Sequence, residues 1–236
     1  MNHKVYSKLD SISNTNAVII TCSSLEKYVS AAQESQGTSI PVIHLDKQLH
    51  VEPDRMKTAM AEAIEGLPPQ VETVLIATGF CGGVWDHVCF DKRVVIPRVD
   101  DCVSMLLTKD DVYCANRKEI GHMYLYDDRP EDFMAFGLMR DLSREGTDYA
   151  RLDEETLFHM YFDNYHTLDI IDTGLNNCYD EDYVAAAQES ADRINAGLDY
   201  VEGSNRILEK LVSGQWDEQF IVAEPGRTIR HGDFFE

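Results

Sequence analysis

The sequence lacks long apolar runs, and this absence excludes two classes of protein. No stretch approaches the roughly 18 to 20 apolar residues that a membrane helix needs, so we expect no membrane partner. The first 16 residues, MNHKVYSKLDSISNTN, are polar and do not contain the apolar core of a secretory signal. We therefore predict a cytoplasmic protein.

Basic residues are scarce, and their scarcity excludes a third class, the nucleic-acid-binding proteins. The chain has 21 Lys and Arg residues against 42 Asp and Glu residues, which gives a formal net charge of −21. A field of this sign repels nucleic-acid phosphates at long range. We therefore predict no nucleic-acid partner, although a local basic pocket could still bind an anion.

Several recognised short motifs are also missing. The chain has no CxxC pair, no GxGxxG fingerprint and no P-loop. It does have six cysteines, which in a reducing cytoplasm are not expected to form a disulfide framework. Three of the six fall within ATGFCGGVWDHVCFDKRVVIPRVDDC, from Ala77 to Cys102. The role of these thiols is the main question that the sequence raises.

Short apolar runs alternate along the chain with segments of helical periodicity. The first four runs are AVIITC (17–22), IPVIHL (40–45), VETVLIATG (71–79) and RVVIPRV (93–99). This alternation predicts an α/β fold with mainly parallel sheet or sheets flanked by helices, Rossmann-like and possibly in two lobes. We predict a flexible lead-in over 1–16, a first lobe over 17–128, and over 129–236 a second lobe or a continuation of the same domain.

Three cysteines stand at the ends of separate predicted strands: Cys22, Cys81 and Cys102. Ligands of open α/β sheets bind beyond the carboxyl ends of the strands, so these thiols converge if their strands are neighbours. Thiolates suit zinc or an iron–sulfur cluster, and three of them with His50 could hold zinc with an exchangeable position. Two alternatives stay open, namely buried packing and a single catalytic thiolate without metal.

Three glycines surround Cys81 in the stretch TGFCGG. Gly79, Gly82 and Gly83 permit positive φ angles and could bring the backbone close to a cofactor or an anion. The alternative is a tight turn from a strand into a helix. The loop alone is weak support for a cofactor site, because it matches no phosphate-binding motif.

Three charged residues precede or accompany Cys102 and are candidate catalytic residues. Of Asp100 and Asp101, one could cap the next helix while the other serves as an acid, a base or a partner to a metal ligand. Arg98 could anchor an anionic part of a substrate. The alternative for Arg98 is an ion pair at the surface.

Several sequence blocks together resemble the DUF1638 family, bacterial and archaeal proteins of unknown function. The blocks are GFCGG, VIPRVDDCVSMLL, IGHMYLY, IDTGLN and LEKLVSGQWDEQFIVAEPG, and the resemblance runs from about Val18 to Gly226. It implies that Cys22, Cys81, Cys102 and His50 form one constellation. One departure is the loop GFCGG, which in the family often reads closer to GLCGN, so a function of that Asn is missing here or supplied elsewhere.

The resemblance also implies a biological context. Family members often lie beside genes for corrinoid-dependent methyltransferases, which suggests one-carbon or methyl-group metabolism. We therefore expect a metal- or iron–sulfur-binding protein acting on a small molecule, as a metal-dependent transferase or lyase if it is an enzyme. One alternative is a non-enzymatic metal carrier or an accessory to a corrinoid or methyltransferase protein. The other is a metal-free enzyme with Cys81 as nucleophile, activated by the amino terminus of a following helix.

Overall fold

The fold was analysed in a computed structural model that describes residues 6–7, 16–47, 49, 53–126 and 148–236. The chain divides into two compact units, the first made of residues 1–117 and 204–236 and the second of residues 118–203. This division after residue 117 lies 11 residues before the one at 128/129 that we predict from the sequence. The chain returns to the first unit because its last helices and strands complete that unit's core. Most of the predicted lead-in lies outside the described residues.

Helices and strands alternate through both units. The strands are β1 (Tyr6–Ser7), β2 (Ala17–Cys22), β3 (Val42–Leu45), β4 (Thr73–Ala77), β5 (Val88–Cys89), β6 (Arg93–Pro97), β7 (His122–Leu125), β8 (Thr167–Asp172), β9 (Gly197–Glu202), β10 (Phe220–Ala223) and β11 (Thr228–Ile229). The α-helices are α1 (Glu26–Gln36), α2 (Pro53–Glu65), α3 (Cys102–Leu106), α4 (Glu154–Phe162), α5 (Glu181–Arg193), α6 (Arg206–Ser213) and α7 (Gly232–Phe235).

The first unit contains a six-stranded sheet in the order β1-β3-β2-β4-β6-β10. Its four inner strands, β3, β2, β4 and β6, run parallel to one another. The edge strands β1 and β10 are antiparallel to their neighbours. The prediction of a mainly parallel, Rossmann-like α/β fold is confirmed.

Helices cover both faces of this sheet because its strands are apolar on both sides. On one face, Val18 and Ile20 of β2 pack in a core with Met56, Met60 and Ile64, which recur every four residues along α2. Residues between these on the strands point to the opposite face. There α1 contacts β2 and α6, and α6 contacts β4 and β6.

The second unit contains a three-stranded sheet, β7-β8-β9, in which all strands are parallel. Its core joins Leu125, Leu168 and Ile170 of the sheet to Leu157 of α4 and Ala187 of α5. Tyr183, Ala187 and Ala191 of α5 face this core at four-residue spacing, so α5 is an amphipathic helix.

A separate two-stranded sheet pairs β5 with β11 in the first unit. It joins the loop that follows β4 to the C-terminal part of the chain. Within the described ranges, no helix combines the length and the apolar character that crossing a membrane would require.

Candidate functional site

The carboxyl edge of the first unit's sheet contains a point at which the strand order reverses. From β2 the chain moves to β3 on one side, whereas β4 and β6 lie on the other side. Such a switch point leaves a crevice beyond the carboxyl ends of the strands, which is where open α/β sheets bind ligands. Cys22 is the last residue of β2, and Cys81 lies in the loop after β4. The two cysteines therefore flank the switch point.

Cys102 is brought to the same edge by β6, the neighbour of β4. The loops that follow these two strands hydrogen-bond to each other: the amide N–H of Phe80 donates to the Val99 carbonyl, and that of Cys81 donates to the Asp100 carbonyl, each over 2.8 Å. Cys102 begins α3 two residues after Asp100. The three strands whose ends carry cysteines are thus neighbours in the sheet.

Gly79 is required by the contact between the two loops. A Cβ at this position would lie 2.7 Å from the Asp101 nitrogen and 2.8 Å from both the Asp101 Cα and the Val99 oxygen. Real Cβ atoms essentially never approach backbone atoms so closely. The lack of a side chain at Gly79 therefore serves loop packing, and its carbonyl accepts a hydrogen bond from Trp85 Nε1 at 2.9 Å.

The loop around Cys81 has an uncommon backbone conformation. Cys81 has a φ of 48°, followed by Gly82 at 73° and Gly83 at 107°. A non-glycine residue with positive φ is uncommon and often marks a functional site. The amide N–H groups of Gly83 and Val84 both donate to the Phe80 carbonyl over 3.2 Å, so these two amides are engaged within the loop.

Residues 81–87 form turns that lead into β5. The predicted turn from strand to helix is therefore wrong. So is the predicted activation of Cys81 by the amino terminus of a following helix, because no helix follows it directly.

Cys22 and Cys102 lie close enough to Cys81 to affect the ionisation of its thiol. Cys22 and Cys102 are buried, whereas Cys81 keeps part of its surface accessible. Burial raises the pKa of the Cys81 thiol well above its ordinary value, and Cys102, Asp101 and Cys22 raise this pKa further, while a backbone hydrogen bond at Gly79 opposes the rise. Without a nearby cation, Cys81 is a protonated thiol at neutral pH.

The arrangement falls short of a complete coordination sphere. Among the residues described, 16–47, 49, 53–126 and 148–236, no three or more His, Cys, Asp or Glu side chains form a group that could hold a metal ion as they stand. His50 lies outside the described residues. Pro53, which begins α2, lies beside the Cys81 loop, since its Cγ is 3.5 Å from where a Gly82 Cβ would stand.

The two candidate acids have backbone partners at this edge. Asp101 is the N-cap of α3, and its Oδ1 accepts a hydrogen bond from the Ser104 amide at 2.8 Å. Asp101 therefore caps α3, which is one of the two roles that the sequence suggested for this pair of acids. The backbone amide of Asp100 donates to the Ala115 carbonyl over 2.7 Å, and the Asp100 carbonyl accepts from the Cys81 amide over 2.8 Å, so the backbone of Asp100 is held next to the Cys81 loop.

Arg98 makes its recorded contacts with other parts of the first unit. Its Nε donates to the Asp233 carbonyl over 2.8 Å and its Nη1 to the Glu218 carbonyl over 3.1 Å. The guanidinium also lies 4.0 Å above the ring of Tyr113. These partners are backbone carbonyls and an aromatic ring. The sequence suggested other partners for Arg98, namely an anionic part of a substrate or an acidic side chain at the surface.

The other cysteines lie away from this edge or at the surface, and none of the six cysteines is in a disulfide. Cys178 is fully buried in the core of the second unit. Cys89 is exposed on β5, and the Cys114 thiol donates to the Asn116 carbonyl at 3.2 Å. Cys178 is thus a packing thiol and Cys89 a surface thiol.

The second unit contains a polar pair that the sequence analysis missed. His122 Nδ1 lies 2.7 Å from the Asp169 Oδ2, and Asp169 is buried. Burial raises the pKa of the Asp169 carboxyl, and its hydrogen bond with His122 opposes that rise. The signal was an Asp inside the otherwise apolar strand TLDIID.

Comparison with known proteins identifies a family, and the description of that family names no activity. A family model described as "Protein of unknown function (DUF1638)" matches residues 44–212, well over half of the chain. The match includes the loops of Cys81 and Cys102 and begins after Cys22. A search of curated proteins found no match, and a search of solved structures found none either. The chain belongs to the DUF1638 family of proteins of unknown function.

Proposed function

We propose that Cys22, Cys81 and Cys102 bind zinc or an iron–sulfur cluster, and that the protein uses this centre to act on a small molecule. The observation that carries the proposal is the strand order of the first unit. Three neighbouring parallel strands bring one thiol each to the carboxyl edge, and two of the thiols flank the switch point.

The electrostatics of this edge favour a cation over an anion. Cys102, Asp101 and Cys22 all raise the pKa of Cys81, because each adds negative charge near that thiol when it is ionised. A bound metal ion offsets this repulsion and deprotonates its thiol ligands. The same negative surroundings disfavour a phosphate or carboxylate ligand at the thiols.

The donor set fits the proposed centre. Thiolates are soft ligands that suit zinc and iron–sulfur clusters. Three of them leave one position of a tetrahedral zinc, or one iron of a cluster, for a fourth ligand or a substrate. We propose His50, three residues before Pro53, as the candidate fourth ligand. A centre with an open position supplies a Lewis acid or activates a water or thiol.

Binding requires some movement of the thiols. In the part of the chain that the structure describes, the side chains do not yet form a group that could hold a metal. The Cys81 side chain is the ligand with room to turn, because it is partly accessible. We expect it to turn toward Cys22 and Cys102 when the metal binds, while the backbone of its loop keeps its hydrogen bonds to the neighbouring loop.

The small-molecule substrate and the cytoplasmic location extend this proposal. One-carbon or methyl-group chemistry, by a transferase or lyase, follows from the family resemblance, as does a corrinoid or methyltransferase protein as partner. A closed four-ligand centre would favour the alternative of a metal carrier or accessory protein. The raised pKa of Cys81 counts against the metal-free nucleophile, since little thiolate is available without a cation.

The test is the metal content of the native protein. Protein purified without oxygen is analysed for zinc, iron and acid-labile sulfide, beside Cys22→Ala, Cys81→Ala and Cys102→Ala. Cys89→Ala is the matched control, because Cys89 is an exposed cysteine on β5. We expect stoichiometric metal in the wild type and the control, and loss of most of it in the three variants. Equal metal in all five proteins, or none after reconstitution with zinc or with iron and sulfide, would contradict the proposal.

A further inference from the structure

The C-terminal segment, residues 227–236, packs against the loop that carries Cys81. In this segment β11 pairs with β5, and the His231 amide donates to the Asp86 Oδ1 over 2.9 Å. The loop, residues 80–89, is thereby bonded to the C-terminal segment at two places. The loop and the C-terminal segment both belong to the first unit.

An aromatic cluster extends this contact to the residue next to Cys81. The ring of Phe80 lies 5.3 Å from that of His231, 5.0 Å from that of Phe234 and 5.2 Å from that of Phe235, measured between centroids. Phe234 is fully buried and Phe80 nearly so. Because Phe80 precedes Cys81 directly, the position of α7 is linked to the position of the thiol.

Two side chains outside the segment hold α7 in place. The Tyr113 hydroxyl donates to the Phe234 carbonyl. Arg98 donates from Nε to the Asp233 carbonyl over 2.8 Å, and from Nη2 to the Glu236 carbonyl over 3.5 Å. Carbonyls in the last turn of a helix lack partners within it and need outside donors. Arg98 and Tyr113 also stack on each other, so they form one unit of support.

A cavity of about 290 Å³ beside this support offers an alternative role for Arg98. Arg98, Arg227 and Asp233 all line it, which suggests an anion site. However, Arg227 donates to the Val222 carbonyl over 3.0 Å and to the Asp233 carboxylate over 2.6 Å. Both arginines are thus engaged by protein oxygens, and a carboxylate occupies part of the lining.

We infer that Arg98 and Tyr113 are positioning residues for the thiol centre and act through the C-terminal segment. They fix α7, α7 fixes Phe80, and Phe80 with β5 fixes the loop of Cys81. The inference depends on the proposed function for its consequence, since a loosened loop withdraws one of three metal ligands. Its structural part concerns how accessible the Cys81 thiol is, which can be measured in metal-free protein.

The structural part is tested by the alkylation rate of each cysteine in metal-free protein, resolved by peptide mass spectrometry. The variants are Arg98→Ala and the milder Tyr113→Phe, which keeps the ring. Arg93→Ala is the matched control, because Arg93 begins β6 five positions before Arg98 and its ion pair at 3.0 Å is with Glu224, outside the segment 227–236. We expect Cys81 to react about tenfold faster in Arg98→Ala and about threefold faster in Tyr113→Phe, because these variants lose hydrogen bonds that hold the C-terminal segment against the loop.

The buried thiols Cys22 and Cys178 report general loss of stability in the same experiment. Unchanged rates at both, with faster reaction at Cys81 alone, support the inference. An unchanged rate at Cys81 in both variants overturns it. Equal acceleration at all three cysteines also overturns it, because the variants would then destabilise the protein as a whole.

The consequence for the centre is tested with Co²⁺ bound to the same proteins. We expect the thiolate-to-cobalt absorption to fall by about one third in Arg98→Ala, since one of three thiolates leaves the ion. The Arg93→Ala spectrum is expected to match the wild type. If the wild type shows no such absorption and also takes up no iron and sulfide, the proposed function fails, while the alkylation rates still decide the role of the C-terminal segment.

Discussion

Gly79→Ala tests the loop contact that brings Cys81 to Cys102. The new Cβ would meet three backbone atoms of the neighbouring loop at 2.7 to 2.8 Å, whereas ordinary van der Waals contact is 3.4 to 4 Å. Backbone atoms cannot rotate away as a flexible side chain does. The loop containing Val99 and Asp101 therefore has to move away from β4.

The cost of that movement has two parts. Overpacking by one methyl group in a tight interior costs about 1–3 kcal/mol. The movement also weakens the hydrogen bonds from the Phe80 and Cys81 amides to the opposite loop, at about 1 kcal/mol each. We expect the variant to lose roughly 3 kcal/mol of unfolding free energy, together with most of its metal affinity.

Urea denaturation followed by tryptophan fluorescence measures this loss. Both tryptophans, Trp85 and Trp216, belong to the first unit, so the signal reports that unit alone. Gly214→Ala is the control, because its position has a φ of +80° and no atom within 4 Å. It should cost only the backbone penalty of about 1 to 2 kcal/mol and leave metal binding intact. A Gly79→Ala protein within about 0.5 kcal/mol of the wild type would refute the steric reasoning.

Two further predictions concern charged groups. Hydrogen bonds from Arg206 and Lys210 lower the pKa of Asp111 from 3.8 to about 2. Because the folded-state value is the lower one, this stabilisation is complete above about pH 4 and is lost as the pH falls toward 2, so Asp111→Asn should flatten the acid limb of a stability–pH curve. In the second unit, His122→Ala removes the hydrogen-bond partner of the buried Asp169 and should cost about 2 kcal/mol, measured by hydrogen exchange in β8. Adding Asp169→Asn should recover part of that loss, and no recovery would contradict the account.

Much of the fold follows from local patterns in the sequence. The strand AVIITC was predicted at the bounds that β2 has, and the four-residue spacing of Met56, Met60 and Ile64 in the sequence is that of a helix face, as in α2. Apolar residues at three- and four-residue spacing in DEETLFHMYFDNY indicate a helix in the same way, and α4 lies there. A similar pattern in EDFMAFGLMRDL lies outside the described residues.

Strand order and inserted segments could not be predicted in the same way. The pairing of β10 with β6 joins residues more than 120 positions apart, and no local pattern encodes it. The same pairing returns the chain to its first unit after residue 203. The assignment of the lobes in the sequence analysis followed chain order alone.

In the candidate site, too, local patterns identified some residues, whereas the roles of others depend on contacts between distant parts of the chain. Cys22, Cys81 and Cys102 were recognised because each stands at the end of a predicted strand. The role of Arg98 was not recognised, since the carbonyl it binds belongs to Asp233, 135 residues further along the chain. The packing contact of Gly79 was not predicted either, because the loop that it meets is set by the order of the strands.

X-ray absorption at the zinc edge tests the central claim most directly. The protein is loaded with one equivalent of Zn²⁺ without oxygen, and the first coordination shell is measured. We predict about three sulfur neighbours at about 2.3 Å from the zinc, two in Cys81→Ala, and an unchanged shell in Cys89→Ala. A shell of nitrogen and oxygen alone, or one that Cys81→Ala leaves unchanged, would contradict the assignment of these thiols to a metal centre.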